Sequence, residues 1–235
     1  MIPLLGITVS AVNIKTFESL IQSIDYPVDR VSILCNNSDF DYFLELKNLS
    51  VNSFVNKFIF SYCPYNLGCA GGWNYHIKNN SDCNYWLLSN DDIVFGKNDL
   101  CKFHQSSISY DLTFNRFRIS SGGKYSLFSL SSNCVEKVGL FDENFYPVYY
   151  EDDDYDRRLQ HHNLNINYVE VDAMHMHEGT MKSLCDNDSA YIRNVLWNKN
   201  RDYLDFKANN NILSENIFLL QERKQKIFEI KKGVQ

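Results

Sequence analysis

Two acidic clusters and a pair of histidines are the residues of this chain best suited to chemistry. Asn90-Asp91-Asp92 closes the apolar run Tyr85-Trp86-Leu87-Leu88. Carboxylates at a strand end suit Mg2+ or Mn2+, hard ions that prefer oxygen ligands and often bridge phosphates. The same triplet also reads as a turn closed by Asx hydrogen bonds. Glu151-Asp152-Asp153-Asp154 sets four acids side by side, and a helix N-terminus or a shared cation would relieve their repulsion. The aromatic run Phe145-Tyr146-Pro147-Val148-Tyr149-Tyr150 before them would partly desolvate a neighbouring carboxylate and raise its pKa toward that of a useful base. A solvated, helix-capping acidic turn is the alternative. His175 and His177 would face one side of an extended strand, as metal ligands or as ordinary structural or exposed histidines. Asn66-Leu67-Gly68-Cys69-Ala70-Gly71-Gly72-Trp73-Asn74 is a glycine-rich helix start where backbone can approach a ligand closely. It is neither a Walker A loop nor GxGxxG.

The elements that must position these groups alternate. Leu4–Val9, Val31–Cys35, Lys57–Tyr62 and Tyr85–Leu88 read as buried strands. Helical spacing follows in Thr16–Ile24, in 40–49 and from Gly68 to about Lys78. Such alternation predicts an α/β fold, a Rossmann-like three-layer α/β/α sandwich with a mainly parallel, mixed central sheet. Ligands of such sheets bind beyond the carboxyl ends of the strands, so Thr8–Ser10, Asn36–Asp39 and Asn90–Asp92 should converge on one crevice. In the second half, Ser126–Ser132 and Asn167–Val171 read as strands, 136–139 as a short helix and Asp152–His161 as a helix with acids in its first turn. The tail over 214–232 reads as an amphipathic helix that packs, dimerises or touches an acidic membrane surface through Lys224, Lys226, Lys231 and Lys232.

Composition narrows the classes. At 235 residues with a formal charge of −6, the chain is a poor general nucleic-acid binder, since phosphate neutralisation supplies most of that affinity. The seven cysteines are scattered and form no CxxC, which reads as reduced thiols of a cytoplasmic protein. No apolar run reaches the ~20 residues of a membrane span.

Taken in order, these pieces resemble the inverting glycosyltransferases of family 2, which have the GT-A fold. The pattern Asn-x-Gly-x-Ala-x-x-Asn is met by Asn66, Gly68, Ala70 and Asn74. Tyr85–Leu88 with Asn90–Asp92 matches a strand ending in a DxD-like triplet. The block from Val138 through Phe141-Asp142-Glu143 to Glu151-Asp152-Asp153-Asp154 and Arg158 is its most specific part, and His175 or His177 precedes Gly179 as a late histidine. The resemblance spans about residues 4–180. It implies that Thr8, Ser10, Asn36 and Ser38 line the base and ribose site, and that Asn66, Gly68, Asn74, Asn90 and Asp91 complete the donor pocket. It further implies that Asp92, with Asp91 and one of His175 and His177, holds Mn2+ or Mg2+. The catalytic base would be Asp152, with Glu151 as its substitute. The substrates would be a nucleoside-diphosphate sugar and a glycan or other hydroxyl acceptor. The implied layout is a donor half over 1–105, an acceptor half over 106–180 and a helical extension over 181–235. Two positions depart from the pattern: Asn36 stands where an aspartate usually reads the nucleobase, and Asn90 opens the triplet.

Two other classes compete. A nucleotidyltransferase would want a basic, glycine-rich loop early in the chain, yet residues 8–16 hold no glycine and only Lys15. A non-catalytic carbohydrate- or partner-binding protein that keeps the fold would share the same surface aromatics.

Overall fold

The computed structural model describes residues 1–10, 13–36, 38–176 and 195–217. The first half runs β1 (Ile2–Val9), α1 (Ile14–Gln22), β2 (Val28–Cys35), α2 (Phe40–Leu49), β3 (Val55–Tyr62), α3 (Gly68–Asn79) and β4 (Tyr85–Asn90). It continues through β5 (Ile93–Val94), α4 (Asp99–Ser107), β6 (Leu112–Phe117), β7 (Leu127–Ser131) and α5 (Ser132–Val138). Last come α6 (Glu151–Leu159), β8 (Ile166–Val171), β9 (Met174–His175) and α7 (Trp197–Asn209).

Seven strands form one sheet in the order β3-β2-β1-β4-β7-β6-β8. The pairs β1–β2, β2–β3, β1–β4 and β6–β8 are parallel, while β7 runs antiparallel to both β4 and β6. The sheet is therefore mixed, as expected. Alternation along β1 divides the core. Leu5, Ile7 and Val9 face α1 and α4 through Phe17, Leu20, Leu100 and Phe103. Leu4 faces the opposite layer, with Trp73, Trp86, Phe128, Phe141 and Tyr155. There Phe141 stacks on Tyr155 at 4.2 Å and Trp73 meets Phe128 edge-on at 5.3 Å, geometries that add to the area these rings bury.

The parallel register of β1, β2 and β4 carries their carboxyl ends to the same edge of the sheet. Thr8 pairs with Leu34 on one side and Asn90 on the other. The Asn36 N–H donates to Val9 O at 2.7 Å, and the Ser10 N–H donates to Asp91 Oδ2 at 2.9 Å. The three polar strand ends do converge.

Several elements differ from the sequence reading, among them the short helix expected over 136–139, which runs Ser132–Val138. Helix α4 and strand β6 lie in a stretch the sequence left unassigned. Residues 212–217 are not helical, so the amphipathic helix expected from about Ser214 does not begin there; its remainder, 218–235, lies outside the described residues. Helix α7 and the 212–217 segment both join the extension to the rest of the fold, and α7 does so in part through a fully buried lysine. Lys207 Nζ lies 2.6 Å from Asp142 Oδ2 and 2.9 Å from Asp154 Oδ1, and all three side chains are 0% exposed. The six described cysteines are all free. Among the described residues no helix is long and apolar enough to cross a membrane.

Candidate functional site

The first wall of the crevice is the end of β4. Asp91 and Asp92 are both buried. Burial and the adjacent Asp92 charge push the Asp91 carboxyl up to about 7, against the Ser10 N–H that favours its ionised form. Asp92 Oδ1 is buried and lies 3.2 Å from His175 Nε2, an ion pair when the imidazole is protonated. His175 is brought there by β9, which pairs antiparallel with β5 so that His175 faces Ile93. The Met176 N–H also donates to Asp92 O at 2.9 Å. Burial lowers the His175 pKa, but Asp92, the Ser121 carbonyl and Asp91 together outweigh it and the net shift is upward. His177 lies outside the described residues.

No group of three or more His, Cys, Asp or Glu side chains capable of holding a metal ion is present among the described residues. Mg2+ in phosphate chemistry commonly takes one or two carboxylates plus substrate oxygens and water, without an all-protein cage. A buried carboxylate oxygen whose neighbour is an imidazole nitrogen, with a second carboxylate beside it, fits such an ion.

The second wall is the turn into α3. Gly68 has φ +73°, and a Cβ there would sit 2.6 Å from Pro147 O. Only glycine fits, and the Cys69 N–H next to it donates to Pro147 O at 2.9 Å. This contact ties the turn to the loop that precedes α6. Asn66 Oδ1 accepts from the Gly68 N–H at 2.7 Å and from Asn36 Nδ2 at 2.8 Å. Asn36 Oδ1 accepts from the Leu67 N–H at 2.7 Å.

The third wall is the first turn of α6. Glu151 is buried, and burial with the adjacent Asp152 charge pushes its carboxyl up to about 8, although the Cys69 thiol bonds to it. Its Oε2 has no hydrogen-bond partner. Asp152 is half-buried, raised by burial and by Asp153, and its Oδ1 accepts from the Asp153 N–H at 3.0 Å. Asp154 faces away from the crevice, held by Arg158 Nε at 3.0 Å and by Lys207. Arg158 in turn donates to Val138 O and Leu140 O, both at 2.8 Å. Of the four consecutive acids, the last is thus a structural anchor and the first two remain for chemistry.

Cys69 joins the walls. Burial raises its thiol pKa well above the ordinary value, and the charges of Glu151, Asp152 and Asp91 raise it further. Cys69 thus lies within electrostatic reach of Asp91 as well as of Glu151 and Asp152. The sequence reading passed over Cys69 because it occupies a variable position of the Asn-x-Gly-x-Ala pattern.

Several expected donor contacts take other roles. Thr8 is turned toward α3: its Oγ1 lies 3.1 Å from His76 Nε2, and His76 Nδ1 lies 2.9 Å from Ser32 Oγ. A Cβ at Gly72 would come within 2.6 Å of Thr8 Oγ1, so α3 packs directly on that hydroxyl. Asn74 is fully buried and joins α3 to the 141–143 segment. Its Nδ2 donates to Phe141 O at 2.8 Å and Glu143 Oε1 at 3.0 Å, and its Oδ1 accepts from the Phe141 N–H. Asn36, 2% exposed, holds the 66–68 turn with both ends of its amide. Asn36 and Asn74 are buried within the framework, and Thr8 is half-buried against α3. Ser10, Ser38 and Asn90 keep exposure at the mouth of the crevice.

The pKa of Glu151 has a consequence for stability. A carboxyl raised in the folded state binds its proton more tightly there than in the unfolded chain. Stability is therefore unaffected below about pH 4.5 and falls as pH rises toward 8, by at most ~1.4 kcal/mol per pH unit. The Tm of Glu151→Gln relative to wild type should accordingly climb between pH 5 and pH 8. Parallel Tm curves would mean that Glu151 is ionised in the folded protein throughout that range.

No family model and no curated relative matches the chain. Its fold is that of solved structures of S. aureus TarS, a family 2 glycosyltransferase with the GT-A fold. Against S. aureus TarS the identity is 12% and the TM-score 0.55, over 97% of this chain and 42% of that one. Against TarS 1–349 in complex with UDP the values are 13% and 0.51, over 74% and 60%. For the complex with UDP-GlcNAc they are 12% and 0.52, over 83% and 65%. The likeness is one of fold, and the chain spans less than two thirds of the TarS chains it matches.

Proposed function

We propose that the protein is an inverting glycosyltransferase that moves a sugar from a nucleoside-diphosphate sugar to an acceptor hydroxyl. The observation that carries this reading is the convergence of polar strand ends on the carboxyl edge of a GT-A sheet, where the Ser10 N–H holds Asp91, with the α3 turn tied through the Cys69 N–H and Pro147 O to the loop that leads into Glu151 and Asp152. Such a crevice has one acidic wall suited to a metal-bound diphosphate and another suited to taking a proton.

Asp92 and His175, with Asp91 beside them, would hold Mn2+ or Mg2+, and when bound the ion would neutralise charge on the departing diphosphate. Ser10 and Ser38 lie at the mouth where base and ribose would enter. Asp152 accepts the proton of the acceptor hydroxyl as its oxygen attacks the anomeric carbon, and the bond to the diphosphate breaks on the opposite face. Holding both substrates on one rigid sheet edge supplies much of the rate by orientation. The half-buried flank of Asp152 keeps it reachable by an acceptor, whereas Glu151 lies beneath it against Cys69.

TarS has been crystallised with UDP and with UDP-GlcNAc, so uridine donors come first in a panel that also includes GDP- and dTDP-sugars. The test is release of nucleoside diphosphate from each sugar nucleotide with Mn2+, alongside thermal shift. Catalytic release from at least one donor is expected. Binding without release from any donor would leave a non-catalytic carbohydrate-binding protein, and release of pyrophosphate from a nucleoside triphosphate would leave a nucleotidyltransferase.

Metal dependence has its own expected outcome. Tight binding to the folded state raises Tm by mass action, so Mn2+ with UDP should raise Tm more than UDP alone, and EDTA should cancel the difference. Asp92→Asn should lose most of the Mn2+-dependent increment. An increment that survives this change would place the ion elsewhere.

A further inference from the structure

The backbone that leads into Glu151 and Asp152 is held in a conformation its own residues disfavour. Tyr149 and Tyr150 have φ of +80° and +72°, in the left-handed region where a Cβ crowds the backbone and a non-glycine residue is strained. Two adjacent tyrosines stay there only where their surroundings dictate it. Tyr150 is also the residue from which α6 departs, so its dihedrals set the direction of the turn that carries the carboxylates.

The restraint comes from α7. Asn200 is 2% exposed, and its Nδ2 donates to Val148 O at 3.1 Å and Tyr149 O at 3.2 Å, with Tyr146 O at 3.4 Å. One amide thus gathers three carbonyls of the same loop. One turn earlier, the Trp197 ring lies edge-on to Tyr149 at 4.6 Å and to Tyr150 at 5.0 Å. Two turns later, Lys207 fixes α7 on Asp142 and Asp154, so α7 is anchored independently of the loop it holds.

We propose that Asn200 is a positioning residue: its amide clamps the 146–149 carbonyls, keeps Tyr149 and Tyr150 left-handed, and so aims the Glu151–Asp152 pair into the crevice. The proposal rests on the reading of Asp152 as the base. Asn200 touches neither substrate nor reacting atoms; without its N–H groups, the two tyrosines relax toward ordinary dihedrals and turn the start of α6.

The test compares the full chain as wild type, Asn200→Ala, Tyr149→Gly and the Asn200→Ala/Tyr149→Gly double variant. Hydrolysis of UDP-GlcNAc with Mn2+ gives kcat and KM, and hydrogen exchange follows the 146–152 amides. Asn200→Ala should lower kcat at least tenfold, leave KM for UDP-GlcNAc within twofold, and speed exchange over 146–152 at least tenfold. Tyr149→Gly in the same background should recover at least a third of the wild-type kcat, because glycine adopts the left-handed region without strain. A purely structural role would lower Tm and the active fraction, with no rescue from a loop glycine. If Asn200→Ala does not fold, Asn200→Ser, which keeps one donor, replaces it under the same criteria. A kcat within twofold of wild type, unchanged exchange, or a failed glycine rescue overturns the proposal. The base assignment fails separately: it falls if Asp152→Asn keeps wild-type turnover, or if wild type turns over none of the panel donors. An inactive Asp152→Asn beside an unimpaired Asn200→Ala removes the positioning role alone.

Discussion

Asp152→Asn lowers turnover by about 10^3-fold, within the ~10^2–10^4 range attributed to a positioned general base, while the thermal shift produced by UDP and Mn2+ stays at its wild-type size. The amide keeps the shape of the carboxylate and can still accept the Asp153 N–H, so the first turn of α6 is preserved. What it loses is the ability to take a proton. Glu151 is a poor substitute: in the wild type it is held near 8 and is mostly protonated at neutral pH, and burial, the first cause of that rise, persists in the variant although the Asp152 charge is gone. Asp152 is half-buried and faces less desolvation. The two carboxylates therefore diverge, and environments that push neighbouring acids apart in pKa mark a division between base and non-base roles. Glu151→Gln, which keeps a neutral, hydrogen-bonding side chain, should lose less than tenfold at pH 7. Measuring kcat for both variants on the best panel donor decides the matter. A Glu151→Gln that is the more damaged of the two would transfer the base to Glu151.

The parts of this fold legible in the sequence are those governed by apolar periodicity. Strands β1, β2, β3 and β4 are short apolar runs separated by helical spacing, and a parallel α/β sheet is the natural way to bury them. The two acidic clusters were legible because charge at a strand end or a helix start stands out in one dimension. The orientation of a short polar side chain does not. Thr8, Asn36 and Asn74 occupy plausible donor positions in sequence, and each closes hydrogen bonds within the framework, Asn36 and Asn74 from buried positions. A residue number cannot tell the crevice side of a strand end from its packed side.

Helix α7 was hidden for a different reason. The inward face of Trp197–Asn209 carries Asn200, Tyr203 and Lys207, at i, i+3 and i+7. Two of the three are polar, so a search for apolar residues at helical spacing finds no stripe. The stripe exists only when Asn200 and Lys207 are counted as core, and what makes them core is remote: carbonyls of 146–149 for one, Asp142 and Asp154 for the other. Arg158 follows the same logic. Its sequence position reads as helix-dipole compensation near the end of α6, whereas the folded chain buries it to 1% exposure and uses it to hold the 138–140 turn.

Lys207→Met should be the most destabilising single change in the described chain, costing about 3–5 kcal/mol, the range seen when one partner of a buried ion pair is removed. At ~2–4 °C per kcal/mol for a domain of this size, Tm falls by about 6–20 °C. The reason lies with the groups left behind. Asp142 Oδ2 would keep only the Tyr203 hydroxyl, at 3.1 Å, and Asp154 would rely on Arg157 and Arg158. Both carboxylates are fully buried, so water cannot replace the lost ammonium. Methionine fills nearly the same volume, which makes the loss one of charge compensation and not of packing. Adding Asp142→Asn to Lys207→Met should recover part of the loss, because it removes the carboxylate left with neutral donors alone, the Tyr203 hydroxyl and the Asn144 N–H; residues sharing one network are not additive. Thermal unfolding of the two single variants and the double variant measures this coupling directly. A double variant no more stable than Lys207→Met, or a single-variant loss below about 1 kcal/mol, would show that the Lys207 network contributes no more than an exposed surface pair.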